Sequence, residues 1–236
     1  MVVLQNWSAR FDWLAHLGKA MFQNHHQELI PKLRPHIPQD AVILDKGAHA
    51  GQMAKLFARL APRGHVYAFE PGSYALSILK PAVYASGLSN IEIVPVGLSD
   101  SPGISTLQMP IKRHGGYGFG LAHLGEASDG RPGVEDEIAL TTIDQFMDDR
   151  RLQRVDFVKI DIEGWEVPCV RGGWKTVERF RPTLMLEIVD KFLARAGTGP
   201  TDLFEPLLSL GYTARRMNLD VAVERYTGPG DYLFAT

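Results

Sequence analysis

Cysteine is nearly absent from this chain of 236 residues, because Cys169 is the only one. An intramolecular disulfide is therefore excluded, and a metal site built from cysteine thiolates would lack ligands. A chain that depends on no disulfide suits a reducing compartment, so we expect a cytoplasmic protein.

Long apolar runs and an excess of one charge are missing as well. No window holds about 18 consecutive apolar residues, the length that a membrane-spanning helix needs, and we see no secretion signal. The formal net charge of −2 gives no overall attraction to nucleic acid. Arg150, Arg151 and Arg154 are interpreted as a solvated cluster at a helix end. We therefore predict neither a membrane span nor a nucleic-acid partner.

The Gly-x-Gly-x-x-Gly fingerprint of dinucleotide-binding folds is also absent. The chain instead contains short apolar runs that alternate with helical patterns. Seven of these runs are predicted to be strands, at residues 41–45, 65–70, 91–96, 155–161, 183–189, 212–217 and 232–235. This alternation with short connections predicts an α/β fold, a doubly wound and mostly parallel seven-stranded sheet in a single domain of residues 1–236.

Two segments stand apart from this pattern. Residues 8–30 have helical apolar spacing and belong to an N-terminal helical extension, residues 1–38, which could pack on the sheet, cover a substrate mouth or form a contact in a homo-oligomer; packing is favoured. Residues 99–136 form a glycine-rich insertion with added strands expected at 104–109 and 137–141. The insertion is interpreted either as a lid or as a disordered surface segment.

A glycine-bearing turn follows the first predicted strand. It begins at Asp45 and contains Gly47 and Gly51, and a second acid, Glu70, ends the next strand. Glycines let the backbone approach a ligand closely, and a carboxylate can accept hydrogen bonds from two hydroxyls. The arrangement resembles the first motif of class I S-adenosylmethionine-dependent methyltransferases. That resemblance implies S-adenosyl-L-methionine as the cofactor, with its methionine half by the turn and its ribose at Glu70.

Residues 155–166 carry the most distinctive pattern, a buried strand followed at once by acids: Val-Asp-Phe-Val-Lys-Ile-Asp-Ile-Glu-Gly-Trp-Glu. Together with the motifs at 69–71, 98–100 and 140–146, it resembles the FkbM family of methyltransferases. The resemblance covers about residues 41–235. It implies the Rossmann-like class I methyltransferase fold and, most often, methylation of a hydroxyl on a sugar, glycolipid or natural product. It also implies a cofactor site formed by Asp45, Lys46, Gly47, Ala48, His49, Gly51, Glu70, Pro71, Leu98, Ser99 and Asp161.

Two positions of the glycine turn depart from that family's pattern. Lys46 stands where an apolar residue is usual, and His49 stands where asparagine is usual. Lys46 could extend from the core or pair with the cofactor carboxylate, and His49 can still donate one hydrogen bond. Beside methyl transfer, two other hypotheses stay open: an NAD(P)-dependent oxidoreductase on a similar sheet, and a degenerate, non-catalytic binding module.

Three carboxylates are the predicted catalytic residues. Asp161 ends the central strand and Glu187 lies near the end of its neighbour, so both are expected to face one pocket. Glu163 is added by its family motif, although it and Glu166 are predicted in the first turn of a helix, where acids are stabilised by the helix dipole. Lys159 is expected either in an ion pair with a carboxylate or in contact with substrate.

Methyl transfer to a hydroxyl oxygen requires that the hydroxyl lose its proton, either to a base or with the help of a metal ion. We favour Asp161 or Glu187 as a base without metal over Mg²⁺ held by Asp161 and Glu187 through oxygen ligands. The predicted acceptor is a small molecule or a saccharide.

Overall fold

A computed structural model describes residues 7–22, 26–110, 123–124 and 133–236. Within these ranges the strands are β1 Val42–Lys46, β2 His65–Phe69, β3 Ile91–Val94, β4 Gly97–Leu98, β5 Gly103–Pro110, β6 His123–Leu124, β7 Gly133–Thr141, β8 Phe157–Ile160, β9 Thr183–Ile188, β10 Thr213–Arg216, β11 Val221–Val223 and β12 Gly230–Ala235. The α-helices are α1 Trp7–Phe22, α2 Ile30–Leu33, α3 Gln52–Leu60, α4 Ser73–Ser86, α5 Ile143–Asp149, α6 Glu166–Arg171, α7 Trp174–Phe180, α8 Asp190–Leu193 and α9 Thr201–Ser209. Short 3₁₀ helices span Gln27–Leu29, Arg34–His36 and Ala194–Ala196. None of the described helices combines the length and apolarity that crossing a membrane requires.

The main sheet has the strand order β11-β10-β12-β9-β8-β1-β2-β3. Strands β9, β8, β1, β2 and β3 are parallel, whereas β10, β11 and β12 pair antiparallel at one side. The predicted doubly wound α/β sheet is confirmed, with eight strands instead of seven. The additional strand β11 has only three residues and lies at the sheet edge, so it shows no alternating apolar pattern.

The central strands are apolar along their whole length because both faces of the sheet are covered. Successive side chains of a strand point to opposite faces. Leu44 and Val158 therefore pack into one buried cluster, while Ile43 and Phe157 pack into another on the other face. This two-sided burial is typical of parallel sheets with helices on each face.

The N-terminal helix is shorter than predicted. One continuous helix over residues 8–30 is wrong, because the chain turns at His26, whose φ is 63°, and then continues as 3₁₀ helix and α2. Helix α1 packs against α4, where Trp13 Nε1 donates to Ser77 Oγ at 2.9 Å. Its C-terminal end is held by Lys55, whose Nζ donates to a backbone carbonyl of α1. The predicted homo-oligomer stays a prediction.

The glycine-rich insertion contributes to a second sheet, with strand order β4-β7-β5-β6. Strands β5 and β7 pair antiparallel from Gly103 opposite Leu140 to Pro110 opposite Gly133. The two added strands are thus present and longer than predicted. Residues 111–122 and 125–132, on which the choice between lid and surface segment depends, lie outside the described residues.

Candidate active site

The carboxyl ends of β9, β8, β1 and β2 lie side by side along one edge of the main sheet. A cavity of about 380 Å³ opens at this edge, within the size range of small-molecule sites. Nine of the predicted site residues line it: Lys46, Gly47, Ala48, His49, Glu70, Pro71, Asp161, Glu163 and Glu187. The parallel strand order therefore brings the glycine turn and the predicted catalytic carboxylates into one cavity.

Four predicted cofactor-binding residues lie outside the cavity lining. Asp45 is fully buried, and Gly51 precedes α3 with φ of 82°. Leu98 belongs to the apolar core, and Ser99 Oγ accepts a hydrogen bond from Trp165 Nε1 at 3.0 Å. Cofactor binding by these four residues stays a prediction.

Lys159 is a buried cation among the acids of the strand ends. Its Nζ lies 3.2 Å from Asp161 Oδ2 and 3.7 Å from Asp45 Oδ1. It also donates to the carbonyl oxygens of Gly47, at 3.0 Å, and Lys46, at 3.3 Å. Of the two interpretations of Lys159, the structure shows the ion pair.

Asp161 and Glu187 share a hydrogen bond across the ends of β8 and β9. Burial and the Asp161 carboxylate raise the pKa of Glu187 to about 8. Burial alone would raise the pKa of Asp161, but Lys159 and the bond from Glu187 hold it below its ordinary value. At neutral pH the pair therefore carries one proton, which Glu187 donates to an ionised Asp161. The two groups titrate as a unit, and because the Asp161 side chain is 45% exposed, solvent in the cavity screens their charges.

Glu163 lies in the turn between β8 and α6, not in a helix. Its backbone φ is 55°, and α6 begins only at Glu166. The prediction for Glu166 therefore agrees with the structure, but the prediction that Glu163 occupies a helical turn is wrong. Burial and the Asp161 carboxylate raise the pKa of Glu163 to about 7. Its Oε2 is buried without a hydrogen-bond partner among the described residues.

Glu70 follows β2 and is fixed by two backbone amides. Its Oε2 accepts from the His49 N–H at 2.9 Å, and its Oε1 accepts from the Gly72 N–H at 2.9 Å. Burial raises the pKa of Glu70, and the two amides oppose that shift. Each carboxylate oxygen can accept more than one hydrogen bond. Both oxygens therefore keep the capacity to bind a hydroxyl of a ligand in the cavity.

Gly47, the first glycine of the turn, must be a glycine because the chain after β1 and the chain after β8 approach each other closely there. Gly47 has φ of 76°, and a Cβ at this position would lie 2.0 Å from the backbone oxygen of Asp161. Only glycine combines this conformation with so close an approach. The neighbouring Lys46 is 3% exposed, and burial lowers its pKa against the opposing effects of Cys169 and Glu70.

The chain matches the model of the methyltransferase FkbM domain over residues 45–213. It belongs to the FkbM methyltransferase family. Methyltransferase sdnD of Sordaria araneosa is 26% identical over 178 residues, which are 65% of this chain and 66% of sdnD. The 2-O-methyltransferase NoeI of Sinorhizobium fredii is 24% identical over 170 residues, 66% of this chain and 65% of NoeI. AMB antimetabolite synthetase AmbE of Pseudomonas aeruginosa is 28% identical over 218 residues, 80% of this chain but 10% of AmbE. The chain thus spans less than two thirds of each of these relatives.

Two solved structures share the fold of this FkbM-family chain. The methyltransferase FkbM from Methylobacillus flagellatus superposes with a TM-score of 0.54 at 18% identity, covering 83% of this chain and 44% of that one. An O-methyltransferase from Bacillus cereus in complex with SAH superposes with a TM-score of 0.52 at 15% identity, covering 99% of this chain and 92% of that one. At these identities the likeness concerns the fold alone.

Two acids of the FkbM signature accept hydrogen bonds from the backbone, and one of them, Glu166, does so next to the cavity. Asp144 Oδ1 accepts from the amide and the hydroxyl of Thr176, at 2.9 and 2.6 Å, and so caps α7. Glu166 Oε1 accepts from the amides of Ile162, at 3.0 Å, and Gly164, at 3.2 Å. The two hydrogen bonds to Glu166 close the turn that follows Asp161. The FkbM signature therefore contains both cavity-lining residues and residues that hold the cavity wall.

Part of the cavity wall was not predicted from the sequence. It comes from the segment after β2, from α4 and from the second sheet: Gly72, Tyr74, Ala75, Leu107, Met109, Asp136 and Ile138. The apolar alternation of Leu107 and Met109 along β5 is the signal that could have found it. Asp231 was also missed, because its strand is predicted to begin at Tyr232 but begins at Gly230. It pairs in register with Glu187, and burial and Asp161 raise its pKa.

Two carboxylates, Asp161 and Glu187, are available at this edge for the Mg²⁺ alternative. Among the described residues, no three His, Cys, Asp or Glu side chains are arranged to hold a metal ion. Mg²⁺ held by Asp161 and Glu187 with waters stays a prediction.

Proposed function

We propose that this FkbM-family chain is an S-adenosylmethionine-dependent methyltransferase that acts on a hydroxyl oxygen of a small molecule or saccharide. The observation that carries the proposal is the shared cavity. Glu70 and the glycine turn line one part of it, and the hydrogen-bonded pair of Asp161 and Glu187 lines another. The predicted cofactor-binding residues and a candidate proton acceptor therefore line the same cavity.

The residues of the cavity fit the cofactor. Glu70 is held by two amides in a fixed orientation and can accept hydrogen bonds from both ribose hydroxyls. Lys46 lies beside the turn and lines the cavity, so its amino group is available to donate a hydrogen bond to the carboxylate of the methionine half. When bound, S-adenosylmethionine supplies an electrophilic methyl group on a sulfonium.

The protein's own part in the reaction is to orient the acceptor and take its proton. Asp161 is ionised at neutral pH because Lys159 lowers its pKa, so it can accept a hydroxyl proton. Glu187 already holds a proton and supports Asp161 through a hydrogen bond. The apolar side chains of Leu107, Met109 and Ile138 close another part of the cavity. Excluding water there strengthens the electrostatic interactions of the site.

The likeness to NoeI favours a hydroxyl acceptor, since the name of that relative specifies 2-O-methyl transfer. The cavity itself favours a small acceptor, because its volume of about 380 Å³ must also contain the cofactor.

The test is methyl transfer from labelled S-adenosylmethionine to a panel of hydroxylated metabolites, saccharides and glycolipids, with and without EDTA. We expect product with at least one acceptor, and we expect Asp161→Asn to lower its rate by about 10²–10⁴-fold, the usual contribution of a general base. Asp148→Asn, on the exposed surface of α5, serves as the matched control. Transfer that is unaffected by Asp161→Asn would contradict the assigned base, and transfer to amines alone would contradict the acceptor class.

A further inference from the structure

Lys159 lines the cavity, yet its ammonium group is fully used within the protein. It donates to Gly47 O at 3.0 Å and to Lys46 O at 3.3 Å, and Asp161 Oδ2 lies 3.2 Å away. A lysine ammonium has three hydrogens to donate. Three acceptors of the protein account for them, so none is left to bind an acceptor or cofactor.

Asp45 explains why the ammonium stays in this place. The two residues are register partners in β1 and β8, and Asp45 Oδ1 lies 3.7 Å from Lys159 Nζ. Asp45 is 0% exposed; burial raises its pKa, and the Lys159 ammonium beside its carboxylate opposes that shift. A buried carboxylate is strongly unfavourable unless a cation lies beside it. Asp45 therefore holds Lys159 from behind, on the side away from the cavity.

We propose that Lys159, anchored by Asp45, is a positioning residue of the methyl-transfer site. It fixes the Asp161 carboxylate against the carbonyl groups of the glycine turn, so that the proton acceptor and the cofactor turn keep one relative arrangement. This inference rests on the function proposed above. It gives Asp45 an anchoring role behind the turn instead of a direct contact with the cofactor.

The structure indicates what the loss of this ammonium would change. The Gly47 carbonyl oxygen would lose its bond from the ammonium, whereas the Lys46 carbonyl oxygen would keep the bond from the Asp161 N–H, at 3.3 Å. Asp45 and Asp161 would remain as two carboxylates on one face of the sheet without a cation between them. The Asp161 side chain would then no longer be held against the glycine turn, and we expect cofactor affinity to fall.

The decisive variant removes both buried charges. Lys159→Met alone would leave Asp45 unpaired and could unfold the chain, whereas the double variant Asp45→Asn/Lys159→Met leaves no uncompensated charge in the core. We expect the double variant to melt within about 5 °C of the wild type. By calorimetry, it should bind S-adenosylhomocysteine at least about tenfold more weakly.

Lys55→Met is the matched control. Lys55 is also buried and also donates to a backbone carbonyl, that of Ala20, but it does not line the cavity. Its loss should lower the melting temperature while the affinity for S-adenosylhomocysteine stays within about twofold of the wild-type value. This control distinguishes the effect of losing any buried lysine from the specific effect of losing Lys159 on ligand affinity.

A spectroscopic measurement on the wild type does not depend on the variants folding. In ¹⁵N spectra of the lysine ammonium groups, assigned through their own side-chain carbons, the Lys159 signal should shift when S-adenosylhomocysteine saturates the protein. The Lys55 signal should not shift. A Lys159 signal that stays unchanged would show that the ammonium does not respond to the bound cofactor product.

Two results would overturn the positioning role: a folded double variant with unchanged affinity, or a Lys159 signal that does not respond to bound S-adenosylhomocysteine. Failure of the proposed function would look different. In that case the wild-type protein itself would not bind S-adenosylhomocysteine, whatever the variants did.

Discussion

Asp161 and Glu187 are neighbouring carboxyl groups whose pKa values shift in opposite directions. Lys159 contacts Asp161 and keeps it ionised, while burial and the negative Asp161 raise the pKa of Glu187 to about 8. In the function proposed above, the two acids take different roles, Asp161 as the proton acceptor and Glu187 as the hydrogen-bond donor that supports it. This division depends on the environment of each side chain and not on the residue type.

The raised pKa of Glu187 makes stability depend on pH. In the folded chain Glu187 keeps its proton up to about pH 8, whereas the unfolded chain releases it near 4.5. Because the folded state binds more protons between these values, stability should fall as the pH rises through that window. Glu187→Gln should flatten the dependence and stabilise the protein at pH 8 by on the order of 1 kcal/mol, a figure reduced for solvent screening. Urea unfolding of both proteins at pH 5, 6.5 and 8 measures this pH dependence of stability. Parallel pH profiles for the wild type and the variant would contradict the raised pKa of Glu187.

At the scale of elements, the site depends on how closely the ends of β1 and β8 approach each other. Gly47 meets the backbone of Asp161, and Lys159 bridges the same two strand ends. The adjoining turn is closed by Glu166, which accepts bonds from two backbone amides. The Asp161 carboxylate is thus placed by strand pairing and by a closed turn.

Gly47→Ala tests this contact. A Cβ there would meet the Asp161 backbone oxygen at 2.0 Å, and the positive φ disfavours alanine. We expect a loss of stability of about 2 kcal/mol or more, together with weaker cofactor binding. Gly103→Ala is the control, because a Cβ at Gly103 meets nothing within 4 Å. Equal thermal melting of the two variants would show that the β1–β8 contact is not tight.

The elements differ in how far the sequence predicts them. Apolar runs on β1, β8 and β9 predict strands because both faces of the sheet are buried. The start of α6 was misplaced at Glu163, because the turn that precedes the helix is closed by the Glu166 carboxylate and allows a positive φ at Glu163. The extent of α1 was overestimated because apolar spacing continues across the turn at His26. The apolar spacing of a sequence indicates which residues are buried, but it does not indicate where side chains form hydrogen bonds to the backbone.

At the scale of the whole molecule, the sequence predicts the half of the cavity formed by the main sheet. Glu70, Asp161 and Glu187 follow or end parallel strands, and the carboxyl ends of such strands share one edge. The other half depends on the second sheet, which is folded from the insertion and has no recognisable motif. Asp231 comes from an antiparallel strand, and its place opposite Glu187 depends on a register that the sequence does not fix.

The central claim is that this cavity binds S-adenosylmethionine, and its most direct test is calorimetric titration with S-adenosylhomocysteine. We expect the wild-type protein to bind it with a stoichiometry of about one, as binding in this cavity implies. Glu70→Ala should bind about 10–100-fold more weakly, since it removes a charged hydrogen-bond acceptor. Glu178→Ala, on the exposed side of α7, should bind like the wild type. Absence of binding by the wild-type protein at millimolar ligand would contradict the account.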